Sequence, residues 1–394
     1  MNPVRFRSCV FGLIAFTSFA GAARAQSSDA WRLYAKFGVE AEYNDNVFLL
    51  SPLRKADLAA PTSGAVASGR FTDMESTDDL ITTASAAVGF RGPGLLGRRL
   101  QIVPSVSYEY FAQNQERRHV AGAITIRQSL PNGARLQLTG KWKPSYFAKN
   151  YLVDAVDADG SGSISSSERV YARGTYDKGG VWLDYRFPLV SSTKRQPFGA
   201  RLEIGGGYER RTYDAPFAGR DRDGPTVRAS LPLSLTKRLG LEIGYSFASP
   251  STAPSQEILL LDERSFGVDL NGNGVATDSL ARASTLVDRS RQEHVLGAAL
   301  SVGLGRRVEL AVDYGVRWRR YSSKEAFDVT HTGRRDLRHR ARVELDARLA
   351  HGLALELKAS YADQNSNRPG DPGSTGEIDD YTRRGASLGL SYRP

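Results

Sequence analysis

One cysteine, Cys9, is all that the chain holds in 394 residues. It opens the apolar core of MNPVRFRSCVFGLIAFTSFAGAARAQ, which runs to about Ala20 behind Arg5 and Arg7 and ends in Ala23-Arg24-Ala25. That order predicts a secretory signal peptide over residues 1–25, cut before Gln26 and too short to cross a membrane as a helix. A lipoprotein signal would carry its cysteine at the cleavage site, so Cys9 excludes that reading. Once the leader is removed no thiol remains, which excludes a disulfide framework and thiol chemistry although the destination is oxidising.

Other features are missing too. No linker composition divides the chain, and no helical period marks a second domain. The net charge of +10 is spread among acids on alternating positions. Without a basic run, nucleic acid is not an expected partner. Of the five histidines, His339 falls on an apolar strand face, His351 in a short turn and His294 at a strand start; only His119 and His331 fall near a long-loop end. No Gly-x-Ser-x-Gly stands beside a plausible base and no histidine pair has zinc spacing. No enzyme activity and no catalytic residues are expected.

What the chain does have is period two, from end to end. In LYAKFGVEAEY, Leu33, Ala35, Phe37, Val39, Ala41 and Tyr43 share one face, while Lys36, Glu40 and Glu42 share the other. In VELAVDYGVRW, Val308, Leu310, Val312, Tyr314, Val316 and Trp318 oppose Glu309, Asp313 and Arg317. In DLRHRARVELDARL, Asp336, Arg338, Arg340, Arg342, Glu344, Asp346 and Arg348 all project one way. Such alternation means strands with one apolar and one polar side. About fourteen such segments are centred near Phe37, Ala86, Val106, Ile124, Leu138, Leu183, Ile204, Leu231, Ile243, Leu300, Val312, Val343, Leu357 and Leu388.

Their connections alternate in length. GPGLLGRR, PNG, SSTKRQP, TKR, GRR and AHG are short, whereas residues 44–79, 150–169, 211–224, 248–291, 321–335 and 363–380 are long. Short turns at one rim and long loops at the other predict a transmembrane antiparallel up-and-down β-barrel over residues 26–394, in the outer membrane of a Gram-negative bacterium with both termini periplasmic. A mean hydropathy of −0.38 agrees, because only alternate strand residues would face lipid. Tyr43, Tyr108, Tyr110, Trp142, Tyr146, Tyr208, Tyr245, Trp318 and Tyr361 are expected at one lipid–water interface, with Phe90, Phe187 and Tyr392 at the other. A secreted solenoid or sandwich would not need so many long strands. The expected partners are outer-membrane lipid and, during insertion, the barrel-assembly machinery.

The first strand runs into EYNDNVFLLSP, Glu42 to Pro52. This resembles the Y-x-D-N-V segment after strand one in the β-barrel porin type 2 family and related outer-membrane barrels of exopolysaccharide systems. The last strand, GASLGLSYRP, resembles the recognition strand of barrel proteins but ends in Arg393-Pro394 instead of an aromatic. The family resemblance implies a pore or surface barrel, some members being linked with polysaccharide export.

Parity places Lys141, Lys143, Arg317, Arg338, Arg340, Arg342, Glu344 and Lys358 on the lumen wall. Charges facing water in a bore are hydrated, and a cluster of arginines would favour anions. The expected function is a passive pore or export conduit for small anions or polysaccharide. The alternative is a non-conducting surface barrel whose loops bind a partner or matrix glycan.

DADGSGSISSSE, Asp157 to Glu168, matches a calcium loop of EF-hand type. Asp157, Asp159, Ser161, Ser165 and Glu168 stand at positions 1, 3, 5, 9 and 12, the Ser163 carbonyl at 7, Gly162 at the turn and Ile164 at 8. A partial copy offers Asp269, Asn271, Asn273 and Thr277 but has Leu280 where the bidentate glutamate belongs. With no helix pair flanking either loop, Ca2+ is expected as a staple for an outer loop, not as a sensor's trigger.

Overall fold

Sixteen strands form in the computed structural model, which describes residues 31–59, 70–161, 164–191, 198–261, 269, 281–325, 327–367 and 380–393. They are β1 (Arg32–Asn44), β2 (Asp79–Pro93), β3 (Arg99–Phe111), β4 (His119–Ser129), β5 (Arg135–Ala155), β6 (Arg169–Val190), β7 (Gly199–Tyr213), β8 (Arg222–Ser234) and β9 (Leu239–Ala248). Then follow β10 (Ser255–Leu261), β11 (Ala281–Val287), β12 (Arg291–Gly303), β13 (Val308–Tyr321), β14 (Arg335–Arg348), β15 (Leu353–Asn367) and β16 (Tyr381–Tyr392). All but β10 and β11 pair with their neighbours into a closed antiparallel barrel, which β1 and β16 seal in register from Phe37↔Tyr392 to Asn44↔Gly385. Fourteen strands therefore close the wall, and each expected strand centre lies in one of them. The signal-peptide reading lies outside the described residues.

Closure removes the edges that an open sheet would leave unpaired. Ion pairs that skip a strand identify the concave face. Arg228 of β8 reaches Asp184 of β6 at 2.5 Å, past β7, and Lys358 of β15 reaches Glu40 of β1 at 3.4 Å, past β16. The other parity carries the apolar side chains, and these stand exposed: Val181 at 54%, Leu388 at 52%, with Val39, Ile124, Ile243, Leu300 and Val343 around the belt. A continuous apolar exterior on a closed barrel is stable only in lipid, which puts the chain in the outer membrane.

The short turns are tight. In the turn between β14 and β15, His351 and Gly352 both take positive φ (56° and 78°). A Cβ on Gly352 would lie 2.1 Å from the Arg393 carbonyl oxygen, so only glycine fits this close approach. At the opposite rim, Tyr43, Tyr108, Trp142, Tyr208, Tyr245, Trp318 and Tyr361 are exposed on the outer face as expected. His294 stacks on Trp318 with centroids 5.1 Å apart and bonds the Tyr245 hydroxyl at 2.7 Å, while His339 bonds the Tyr314 hydroxyl at 2.7 Å. Both histidines thus serve the aromatic girdle.

Tyr146 departs from the expectation. It pairs with Tyr176 on the inner face, because the register slips between Lys143 and Tyr146 where Ser145 takes a φ of 46°. One extra residue at this bulge reverses the parity at Tyr146, and two further register shifts, between Phe147 and Lys149 and between Leu152 and Asp154, alter it again.

The long connections depart further. Residues 44–79 include an α-helix, α1 (Pro52–Ala59), where no helix was expected, and 248–291 contain the separate β10–β11 hairpin. β5 and β15 also run on into the segments read as loops, to Ala155 and Asn367.

Candidate functional site: a charged lumen under a packed mouth

The mouth is built from EYNDNVFLL. Asn46 is fully buried; its amide donates to the Leu50 and Thr382 carbonyls at 2.8 and 2.9 Å and accepts from the Leu50 N–H at 2.8 Å. The Asp45 carboxylate accepts the Arg384 N–H at 2.6 Å. These bonds turn the chain back into the barrel as it leaves β1. Val47, Phe48, Leu50, Phe71 and Met74 then pack on Ile81, Phe111 and Phe147 of the inner wall. Arg117 lies 4.6 Å above the Phe48 ring and donates to the Ala148 carbonyl at 3.0 Å. Asn114 takes the Glu75 and Ser76 N–H groups, and Asn150 holds the Thr72 carbonyl at 2.6 Å. The described parts of the first long connection thus pack on the inner wall.

The hairpin is fastened nearby. Glu257 of β10 accepts Arg220 at 2.9 Å and Arg289 at 2.5 Å, and Arg282 of β11 meets Asp154 of β5 at 2.7 Å. Asp328 lies in the next connection, residues 322–334. It accepts the Asp288 N–H at 3.1 Å and contacts the His331 ring nitrogen at 2.8 Å. Burial pushes His331 below its ordinary 6.5, against the opposing pull of Asp328. Because the opened loop binds this proton more readily, the closed loop keeps its full stability above about pH 6.5 and loses it as pH falls below that value. Hydrogen exchange across residues 322–334 should therefore speed up between neutral pH and pH 5, and a His331→Gln variant should flatten the profile.

Below the mouth the wall is polar. All eight residues expected on the lumen have inward parity: Lys141 and Lys143 on β5, Arg317 on β13, Arg338, Arg340, Arg342 and Glu344 on β14, and Lys358 on β15. Some of these are neutralised. Arg342 bonds Asp313 at 2.6 Å, Lys358 meets Glu40 and Glu356, and Glu293 is shared by Arg291, Arg317 and Arg319 at 2.5, 3.9 and 3.0 Å. Glu344, Asp346 and Glu356 gather nearer the short-turn rim, answered by Arg342 and Lys358. Arg338, Arg340, Lys36 and Lys141 have no ion pair among the described residues. Two recesses with more cations than acids result, one of about 430 Å³ lined by Arg317, Arg338 and Arg340 with Glu242 and Asp313, and one of about 510 Å³ lined by Lys36, Lys141, Lys143 and Lys178 with Glu209.

Sequence reasoning missed Trp182 in the second recess. Its parity with Asp184 and Arg186, against Val181, Leu183 and Tyr185, was the available signal. His119, expected near an opening, is buried with its Nδ1 2.9 Å from the Arg117 carbonyl and Nε2 3.4 Å from Glu109.

Residues 157–168, read as a calcium loop, connect β5 to β6. Asp157, Asp159 and Glu168 bring carboxylate oxygens within 4.8 Å of one another. Calcium–oxygen bonds of roughly 2.3–2.6 Å set ligands on opposite sides of the ion about 5 Å apart, so the cluster fits a calcium ion. Ile164 is buried beneath it. The Ser161 N–H donates to both Asp157 and Asp159, at 3.1 and 3.0 Å, and Ser165 closes the turn by donating its N–H to Glu168 at 2.7 Å. Hydrogen bonds from Ser161 hold Asp159, and from Ser165 and Ala158 hold Glu168, below the usual carboxylate range. Ser163, Asn271, Asn273 and Thr277 lie outside the described residues, and Asp269 is described alone.

No family model and no curated protein matches the chain. Among solved structures it is similar to the outer membrane channel DcaP of Acinetobacter baumannii, with 8% identity, 95% of this chain and 100% of that one covered, and a TM-score of 0.42. It is also similar to an anion-selective porin from Comamonas acidovorans (10%, 93% and 99%, 0.37) and to the outer membrane phospholipase A of Escherichia coli (11%, 94% and 94%, 0.36). These neighbours differ in activity, so the functional reading below rests on this chain's own lumen.

Proposed function

We propose that this chain is an outer-membrane conduit for anionic solutes, small anions or acidic polysaccharide, narrowed at its mouth by its own loops. The observation that carries the reading is the set of inner-wall cations that have no carboxylate partner among the described residues, Lys36, Lys141, Arg338 and Arg340. In a hydrated bore such charges raise the local concentration of anions and repel cations. Proteoliposome swelling tests it: gluconate should enter faster than lysine. Swelling no faster than in protein-free liposomes would favour the second reading, a surface barrel that binds through its loops, for which the packed mouth speaks.

Calcium belongs to the same proposal. Asp157, Asp159 and Glu168, with Ser161, Ser165 and the Ser163 carbonyl, would hold one ion at the outer rim, where weak sites of roughly 10⁻⁴ to 10⁻³ M suffice. The ion would order the loop by supplying the free energy that its conformational entropy costs. EDTA should increase proteolysis within residues 150–169 and leave the barrel folded; identical cleavage with and without calcium would rule the staple out.

A further inference from the structure

On the inner wall, Trp182 lies over two glycines. It pairs across the sheet with Gly207, and Gly180 precedes it by two residues on the same face. A Cβ on Gly207 would stand 2.3 Å from the indole Cδ1, and one on Gly180 would stand 2.4 Å from its Cη2. Both missing Cβ atoms would point into the lumen, so the indole lies flat across the wall with one face on backbone. Its other face borders the recess of about 510 Å³. Lys141 sits 5.6 Å from the ring centroid, and Lys178 and Lys143 line the same space with Glu209, which is 3.0 Å from Lys178.

Rings filling glycine niches occur elsewhere on the wall. Toward the short-turn rim, Tyr34 fills the place of a Cβ on Gly89, with Arg91 and Arg393 at 5.4 and 4.9 Å from its ring. Toward the mouth, Tyr151 fills the place of a Cβ on Gly174, with Arg220 and Lys149 at 4.0 and 5.6 Å. In each of these stations a cation lies over a ring set in a glycine niche, and Tyr151 is packed against Tyr213 and Phe217 as well.

We infer that the Trp182–Lys141 station binds acidic saccharide, a pyranose ring stacked on the indole with its carboxylate on Lys141. The aromatic face is electronegative and suits the weakly positive C–H face of a pyranose. The adjacent ammonium supplies the charge contact that a neutral sugar could not use. This deepens the conduit reading by naming a ligand class for its lumen, but the binding itself needs no open channel.

The test is calorimetry on the refolded, detergent-solubilised mature chain in calcium-free buffer, with hexagalacturonate, maltohexaose and citrate as probes. Hexagalacturonate should bind, and W182L and K141Q should each weaken it by about tenfold. Maltohexaose should bind more weakly, and citrate, which has charge but no ring, weaker still. Gly207→Ala, which lifts the indole without removing it, should also weaken hexagalacturonate, with the folded barrel verified by heat-modifiable gel migration. Citrate binding as tightly as hexagalacturonate, or W182L binding it as tightly as the parent, overturns the site. Anion conductance without hexagalacturonate binding would refute the saccharide site and leave the conduit standing; binding without conductance would do the reverse.

Discussion

Exchanging Arg338 and Arg340 for glutamate is expected to turn an anion-preferring conductance into a cation-preferring one. Neither guanidinium has an ion pair among the described residues, so no acid is stranded when they go. Arg338 only lies 5.8 Å from the Tyr381 ring, and both arginines line the recess of about 430 Å³. Each exchange swaps a positive charge for a negative one beside the solute path. At about 1 kcal/mol for a unit charge near 4 Å in water, the two reversals shift the anion-to-cation ratio by roughly tenfold or more. The sign of the reversal potential in a salt gradient reads this directly. Arg342, already bonded to Asp313, should change selectivity far less when replaced by glutamine.

The second large effect is expected at the mouth. Asn46→Ala removes the amide that holds the Leu50 and Thr382 carbonyls and the Leu50 N–H in a fully buried position. Leaving such groups unpaired costs about 1–3 kcal/mol each, enough to loosen the turn by which the segment enters the mouth. The variant should conduct several-fold more current per channel and be cut readily within residues 44–79, with its barrel still folded. An unchanged conductance would mean that the segment does not limit the path.

The barrel was legible because lipid and lumen write opposite demands on alternate residues, and thirteen or more residues of such alternation leave little room for another fold in strands such as β1, β13 and β14. The eight charged lumen residues followed from the same parity. Parity failed at Tyr146, where Pro144 and Ser145 hint at a bulge but do not dictate on which residue it falls. It was available for Trp182, yet an aromatic residue invites the expectation of an interface.

The packed mouth was harder to see, because a connection has no period to count. Its signals were compositional. Val47 to Leu50 is an apolar run that a solvated loop has no use for, and Ser255 to Leu261 facing Ala281 to Val287 is a hairpin in miniature. Asn46, which bends the first of these inward, acts in part through a bond to Thr382, 336 positions away, and no local pattern announces it. In the calcium loop the carboxylates were legible as a motif, since its ligand spacing is local by nature.

The reversal potential of the unmodified chain in a planar bilayer, under a potassium chloride gradient, tests the central claim most directly. A channel lined by Lys36, Lys141, Arg338 and Arg340 should conduct and give the sign of chloride preference, with the preference shrinking as salt screens the wall. A potassium preference, or a folded and inserted barrel that carries no current, would contradict it.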